Sequence, residues 1–170
     1  MLSHAVERHP DDPDVLNARA LYLWDEKRYE EAERLFRAAL EARPTSGDLM
    51  NSLGYMNAER GVKLDEALKL IDEALKESPT EASYLDSRGW ALFRLGRAQE
   101  AASCLERAAE RAEHPETLEH LGDVLQSLGR TSEAQAAWRR AVEHDDAKDE
   151  LRARVRLKLE GRVARPPEEQ

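Results

Sequence analysis

Residues 89–108 read GWALFRLGRAQEAASCLERA, with small residues at Gly89, Ala101 and Ala108. The same triplet returns as Ala20, Ala32, Ala39, then Gly54, Ala67, Ala74, then Gly122, Ala134, Ala141. The step from Ala20 to Gly54 is 34 residues. Each block spells two amphipathic helices. A lone helix pair cannot bury its own apolar face and must stack on a neighbour, so the repeat predicts an all-α solenoid, a right-handed superhelix of about four helix pairs. Such a stack mainly supplies surface, which points to binding rather than catalysis.

The turns carry their own signals. Asp12-Pro13 reads as an N-cap acid followed by proline at the first helical position. The helix it opens runs to about Asp25, with Leu16, Ala20 and Leu23 on one face. After Glu26-Lys27-Arg28 comes a second helix bearing Ala32, Leu35, Phe36, Ala39 and Leu40, and Pro44 ends it. In later blocks Gly96 and Gly129 stand where the chain leaves a first helix and must turn. Ala32 to Ala67 is 35 residues, one more than the repeat, and Ala108 to Gly122 is 14 where Ala74 to Gly89 is 15. Both changes fall in turns. Gly54, Gly89 and Gly122 are expected where the helices of a pair cross, facing Ala67, Ala101 and Ala134.

Composition narrows the class. The 170 residues include 36% charged and 5% aromatic side chains, as expected of thin helical repeats with one wet face per helix. A net charge of -9 argues against a nucleic-acid partner or an anionic lipid surface. No apolar run is long enough for direct membrane insertion. A single cysteine, Cys104, excludes an internal disulfide framework and a multi-thiolate metal site.

The repeats are expected over 11–146, as blocks at about 12–45, 46–80, 81–113 and 114–146. Leu2, Ala5 and Pro10 stand where Phe36, Ala39 and Pro44 stand one repeat later, so 1–10 reads as a truncated half-repeat. Two accounts fit it: a piece of a longer protein whose targeting segment lies upstream, or a cap. After residue 146 the repeat signal ends. Residues 147–162 are expected to form a C-terminal capping helix, with Leu151, Val155 and Leu159 spaced four apart. From 149 to 165 there are six bases (Arg152, Arg154, Arg156, Lys158, Arg162, Arg165) against three acids, read as a solvated face rather than a contact for an acidic partner. Residues 163–170 read as a disordered tail.

These residues resemble the tetratricopeptide repeat family, which sets three small residues in each repeat, a large apolar residue between the last two, and proline near the end. Here the large residue is Phe36, Ile71, Leu105 and Trp138, and the prolines are Pro44 and Pro79. Lys27 departs from the family's turn glycine, and no proline closes the last two repeats. The runs Leu53-Gly54-Tyr55, Leu64-Asp65-Glu66-Ala67, Leu85-Asp86-Ser87-Arg88-Gly89-Trp90 and His120-Leu121-Gly122-Asp123 are similar to the C-terminal repeats of long bacterial members. Some of those are envelope adaptors, including ones serving a C-terminal processing protease. The resemblance implies an adaptor role, in the bacterial cytoplasm or at the periplasm and outer-membrane periphery.

The resemblance also implies a concave ligand face, formed by the second, fifth, ninth and twelfth residues of each first helix. Those are Asp14, Asn17, Leu21 and Trp24; Asp48, Asn51, Tyr55 and Ala58; Ser83, Asp86, Trp90 and Phe93; Glu116, Glu119, Asp123 and Gln126. The expected peptide-binding set is Asn17, Leu21, Trp24, Asn51, Tyr55, Asp86, Trp90, Phe93, Glu119 and Asp123. It pairs an aromatic row and two amides with an acidic end, suiting a client peptide or helix with apolar anchors and basic residues. Trp24 and Trp90 are expected to face the groove; the alternative seats Trp90 and Tyr55 between adjacent pairs. Trp138 is expected in the core. The lysine and arginine with which some members clamp a terminal carboxylate are absent from these positions.

Chemistry is not signalled. His4, His9, His114, His120 and His144 lack zinc spacing and read as isolated surface histidines. Asp11-Asp12-Pro13-Asp14 lacks the glycine and terminal glutamate of a calcium loop. Ser103-Cys104 has no evident base beside it, and no phosphate loop appears. The expectation is a non-catalytic scaffold with no cofactor and no metal. Two alternatives stand beside it: a structural segment that self-associates or stacks within a larger protein, and the appendage of an enzyme whose catalytic domain lies elsewhere.

Overall fold

The computed structural model describes residues 11–161. Among the described residues there are nine helices and no strand, in two compact units within Met1–Pro79 and Thr80–Gln170. The half-repeat expected over 1–10 and the tail expected over 163–170 lie outside the described residues.

The first unit holds α1 (Pro13–Asp25), α2 (Tyr29–Ala42), α3 (Gly47–Arg60) and α4 (Leu64–Glu77). Asp12 caps α1 by accepting the Asp14 and Val15 amides at 2.9 and 3.4 Å. Ser46 caps α3 through the Leu49 amide at 3.4 Å. Between α1 and α2 the backbone turns at Lys27, whose φ of 61° is left-handed. Lysine there carries roughly 1–2 kcal/mol of strain that the missing glycine would not. The second helices α2 and α4 start without a side-chain cap, so packing rather than capping defines them. Ala20, Ala32, Phe36, Leu53 and Met56 are fully buried together, with Leu23, Trp24, Leu35, Leu40 and Leu70 packed against them.

The second unit holds α5 (Ala82–Arg94), α6 (Ala98–Arg111), α7 (Pro115–Ser127), α8 (Thr131–Glu143) and α9 (Asp149–Leu159). α5 pairs with α6 and α7 with α8, and α7 also packs on α6 and α5. α9 packs on α8 and α7 in the same manner, burying Leu151 and Val155. It stands where the first helix of a further repeat would stand.

The crossing glycines are required by close approach. A Cβ at Gly89 would lie 2.6 Å from Leu105 Cγ and 3.2 Å from the Ala101 carbonyl oxygen. At Gly54 it would lie 2.7 Å from Ile71 Cγ1 and 3.0 Å from the Ala67 carbonyl oxygen. At Gly122 the obstacle is Trp138, whose Cδ1 would be 2.3 Å away. The expected partner there was Ala134; the large residue one turn on fills the crossing instead. Trp138 is buried, as expected of a core residue.

Candidate functional site

The first-helix positions form a separate patch in each unit. In the first, Trp24 on α1 and Tyr55 on α3 meet edge to face, their ring centroids 5.5 Å apart at 68°. The contact follows from the repeat, since α1 and α3 are successive first helices and the rings sit at neighbouring levels. Both rings are half-buried. Leu21 beside them is 38% exposed, and the adjoining Tyr22 is 57% exposed. The side-chain oxygens of Asn17 and Asn51 are buried without a hydrogen-bond partner. This patch therefore combines aromatic and aliphatic surface with two unsatisfied amide acceptors.

In the second unit Asp86, Trp90 and Glu119 at these positions are buried, while Phe93 and Asp123 are half-buried. Trp90 is 9% exposed, so its expected groove exposure gives way to packing. Its ring stacks on His120 at 4.3 Å and 18°, and lies 5.4 Å from Phe93. His120 Nδ1 stands 3.0 and 3.3 Å from the two Asp86 carboxylate oxygens. His120 is thus buried on the face of α7 that meets α5, not an isolated surface histidine. Its partner lies 34 residues away, one repeat period. That spacing was the available signal, and reading the histidines only for zinc spacing missed it.

The acidic end is engaged as well. Arg154 of α9 donates to Glu119 through Nε at 2.7 Å and Nη2 at 2.6 Å. Lys158 Nζ donates to Glu119 at 2.6 Å and to the Asp123 oxygens at 2.7 and 2.6 Å. Trp138 Nε1 donates to Asp123 at 3.1 Å. The Glu119 side chain is only 4% exposed. The reading of the C-terminal bases as a solvated face fails for Arg154 and Lys158. The repeat register does not end at residue 146 either. Arg154 and Lys158 each lie 35 residues beyond the acid they bind, at the level of Glu119 and Asp123 in a next first helix.

Burial pulls these carboxyls upward, and the cations pull them down. At Glu119 the combined Arg154 and Lys158 contacts override burial and hold the carboxyl below its ordinary value. At Asp123 burial outweighs Lys158, and the carboxyl sits above its ordinary value. Asp123 has one cation where Glu119 has two, and it also feels the Glu119 charge.

Cys104 is buried and accepts a contact from Arg88 Nη1 at 3.0 Å. Among the described residues no cluster of three or more His, Cys, Asp or Glu could hold a metal ion. No described helix is long and apolar enough to cross a membrane.

Comparison with known proteins gives a consistent setting. A 122-residue segment is 30% identical to TPR repeat-containing protein PA4667 of Pseudomonas aeruginosa, covering 72% of this chain and 21% of that protein. The chain thus spans about a fifth of the relative's length. The structure of TTC0263, a thermophilic TPR protein of Thermus thermophilus, superposes with a TM-score of 0.81 over 93% of this chain and 87% of that one, at 23% identity. PilW, a widely conserved type IV pilus biogenesis factor, superposes with a TM-score of 0.74 over 95% of this chain and 76% of that one, at 22% identity. At those identities the likeness concerns the fold, an all-α tetratricopeptide superhelix. The Tetratricopeptide repeat model matches residues 1–47, 17–82, 56–117 and 87–130, and so, by fold and by sequence, the chain belongs to the tetratricopeptide repeat family, a family of protein-interaction scaffolds.

Proposed function

We propose that the chain is a non-catalytic adaptor that holds a peptide or helix of a client protein on its first-helix faces. The observation that carries this reading is the patch on α1 and α3. Trp24 and Tyr55 form a rigid aromatic pair, Leu21 exposes apolar surface beside them, and the Asn17 and Asn51 oxygens are buried and unsatisfied. Buried acceptors without donors are costly, roughly 1–3 kcal/mol each, and a peptide N–H would relieve that cost while the rings take an apolar anchor. Aromatic anchors in such patches typically dominate affinity. Asp86, Trp90, Phe93, Glu119 and Asp123 belong to the proposed face of the second unit, where Asp86, Trp90 and Glu119 are buried and Phe93 and Asp123 half-buried.

The test is a pull-down with the full chain as bait beside Leu21→Glu. Leu21 is partly exposed, so the variant is expected to fold normally by circular dichroism while losing about tenfold or more in client retention. Equal retention by both baits would move the site off α1. The exposed Leu21 and Tyr22 side chains also favour a second reading, self-association through α1. Molar mass rising with concentration in wild type but not in Leu21→Glu would favour it.

A further inference from the structure

We propose that α9 is an exchangeable resident ligand: it occupies, on α7, the binding site for a basic amphipathic helix of the client. This rests on the adaptor reading and adds the partner's chemistry and its control.

Two observations converge. The first is register. α9 presents Leu151, Arg154, Val155 and Lys158 to α7 and α8, an i, i+3, i+4, i+7 stripe of alternating apolar and basic residues. Its two cations grip two carboxylates four residues apart on α7. The site therefore specifies a helix with the same stripe, and α9 is its template.

The second is how lightly α9 is held. Every other first helix is clasped by its own second helix, whereas α9 has none among the described residues. It runs 11 residues, has no side-chain N-cap, and buries only Leu151 and Val155 fully. A helix so short is marginal on its own in water. Its charge clamp adds specificity more than stability, because desolvating ions offsets much of their attraction. Leu157 on the same helix is 41% exposed.

The experiment uses the full chain and a fluorescent synthetic peptide of residues 147–161. Leu151→Asp/Val155→Asp removes the apolar anchors and is expected to undock α9. Since an occupied site lowers apparent affinity by the fraction free, that variant should bind the peptide about tenfold or more tighter than wild type. Adding Glu119→Gln/Asp123→Asn should erase the gain. Because either variant could misfold, hydrogen exchange on wild type supplies an independent readout. Excess peptide should deprotect amides 151–159 and leave α7 and α8 protected. Equal affinity of wild type and variant, a gain that survives neutralising the acids, or unchanged exchange in α9 would each overturn the proposal. Dimerisation accompanying the exchange would assign the site to a second copy's α9 and overturn it as well. The probe is the chain's own segment, so failure of this test leaves the client patch on α1 and α3 untouched, and failure of the pull-down leaves this test readable.

Discussion

The first-helix faces of the two units begin from the same design and end in opposite states. On α1 and α3 the aromatics touch edge to face, aliphatic surface remains open, and two asparagine oxygens lack partners. On α5 and α7 a tryptophan is stacked flat on a histidine, that histidine meets an aspartate, and two neighbouring acids are gripped by α9. Equivalent repeat positions thus leave surface open in one unit and serve cohesion in the other. Position in the repeat sets where a side chain points. The neighbouring helix decides whether it stays available.

The sharpest way to break this comparison is to remove one tryptophan from each face. Trp90→Ala should cost about 3–4 kcal/mol, because it empties a packed site and unstacks His120, while Trp24→Ala should cost less and weaken client binding. Chemical denaturation of both variants measures the gap, and equal losses would erase the distinction between the faces.

A somewhat smaller effect is expected at the crossings beneath both faces. Gly89→Leu must displace Leu105 and the Ala101 carbonyl, at about 3 kcal/mol or a little less. An unchanged melting midpoint would contradict the close helix contact.

The smallest of the three concerns the acidic end. Glu119→Gln should cost about 2 kcal/mol near neutral pH, by removing charge-assisted bonds to Arg154 and Lys158. Glu119 titrates below its ordinary value of 4.5, so its contribution is complete above that pH and fades as pH falls through the lower folded-state value. The stability difference between wild type and Glu119→Gln should therefore shrink on acidification below pH 4.5. Asp123 works in the opposite sense: its raised value means that protonation relieves a burial cost. A wild-type-minus-variant difference that held constant from pH 6 to pH 3 would show that the Glu119 contacts are not formed in solution.

Much of this architecture was legible in the residues. The small triplets marked the crossings, and Asp12-Pro13 marked a helix start that the capping geometry bears out. The exposure of individual rings was not legible. Trp24, a twelfth residue, and Trp90, a ninth, are assigned to one kind of face, and what separates them is that Trp90 meets His120 while Trp24 meets Tyr55. α9 illustrates the same limit from the other side. Its bases looked like a solvated face because the small residues that announce a repeat are missing after residue 146, although the 35-residue offset to Glu119 and Asp123 was there to be counted.

What the sequence determined by itself is the succession of helices and their repeat. Both follow from local rules: apolar periodicity, caps, turn residues and the need for small side chains where two backbones approach. What only the tertiary structure decided is which polar and aromatic groups find each other across helices. A buried carboxylate or indole settles according to the neighbours that replace its water, and those neighbours stand a full repeat away along the chain.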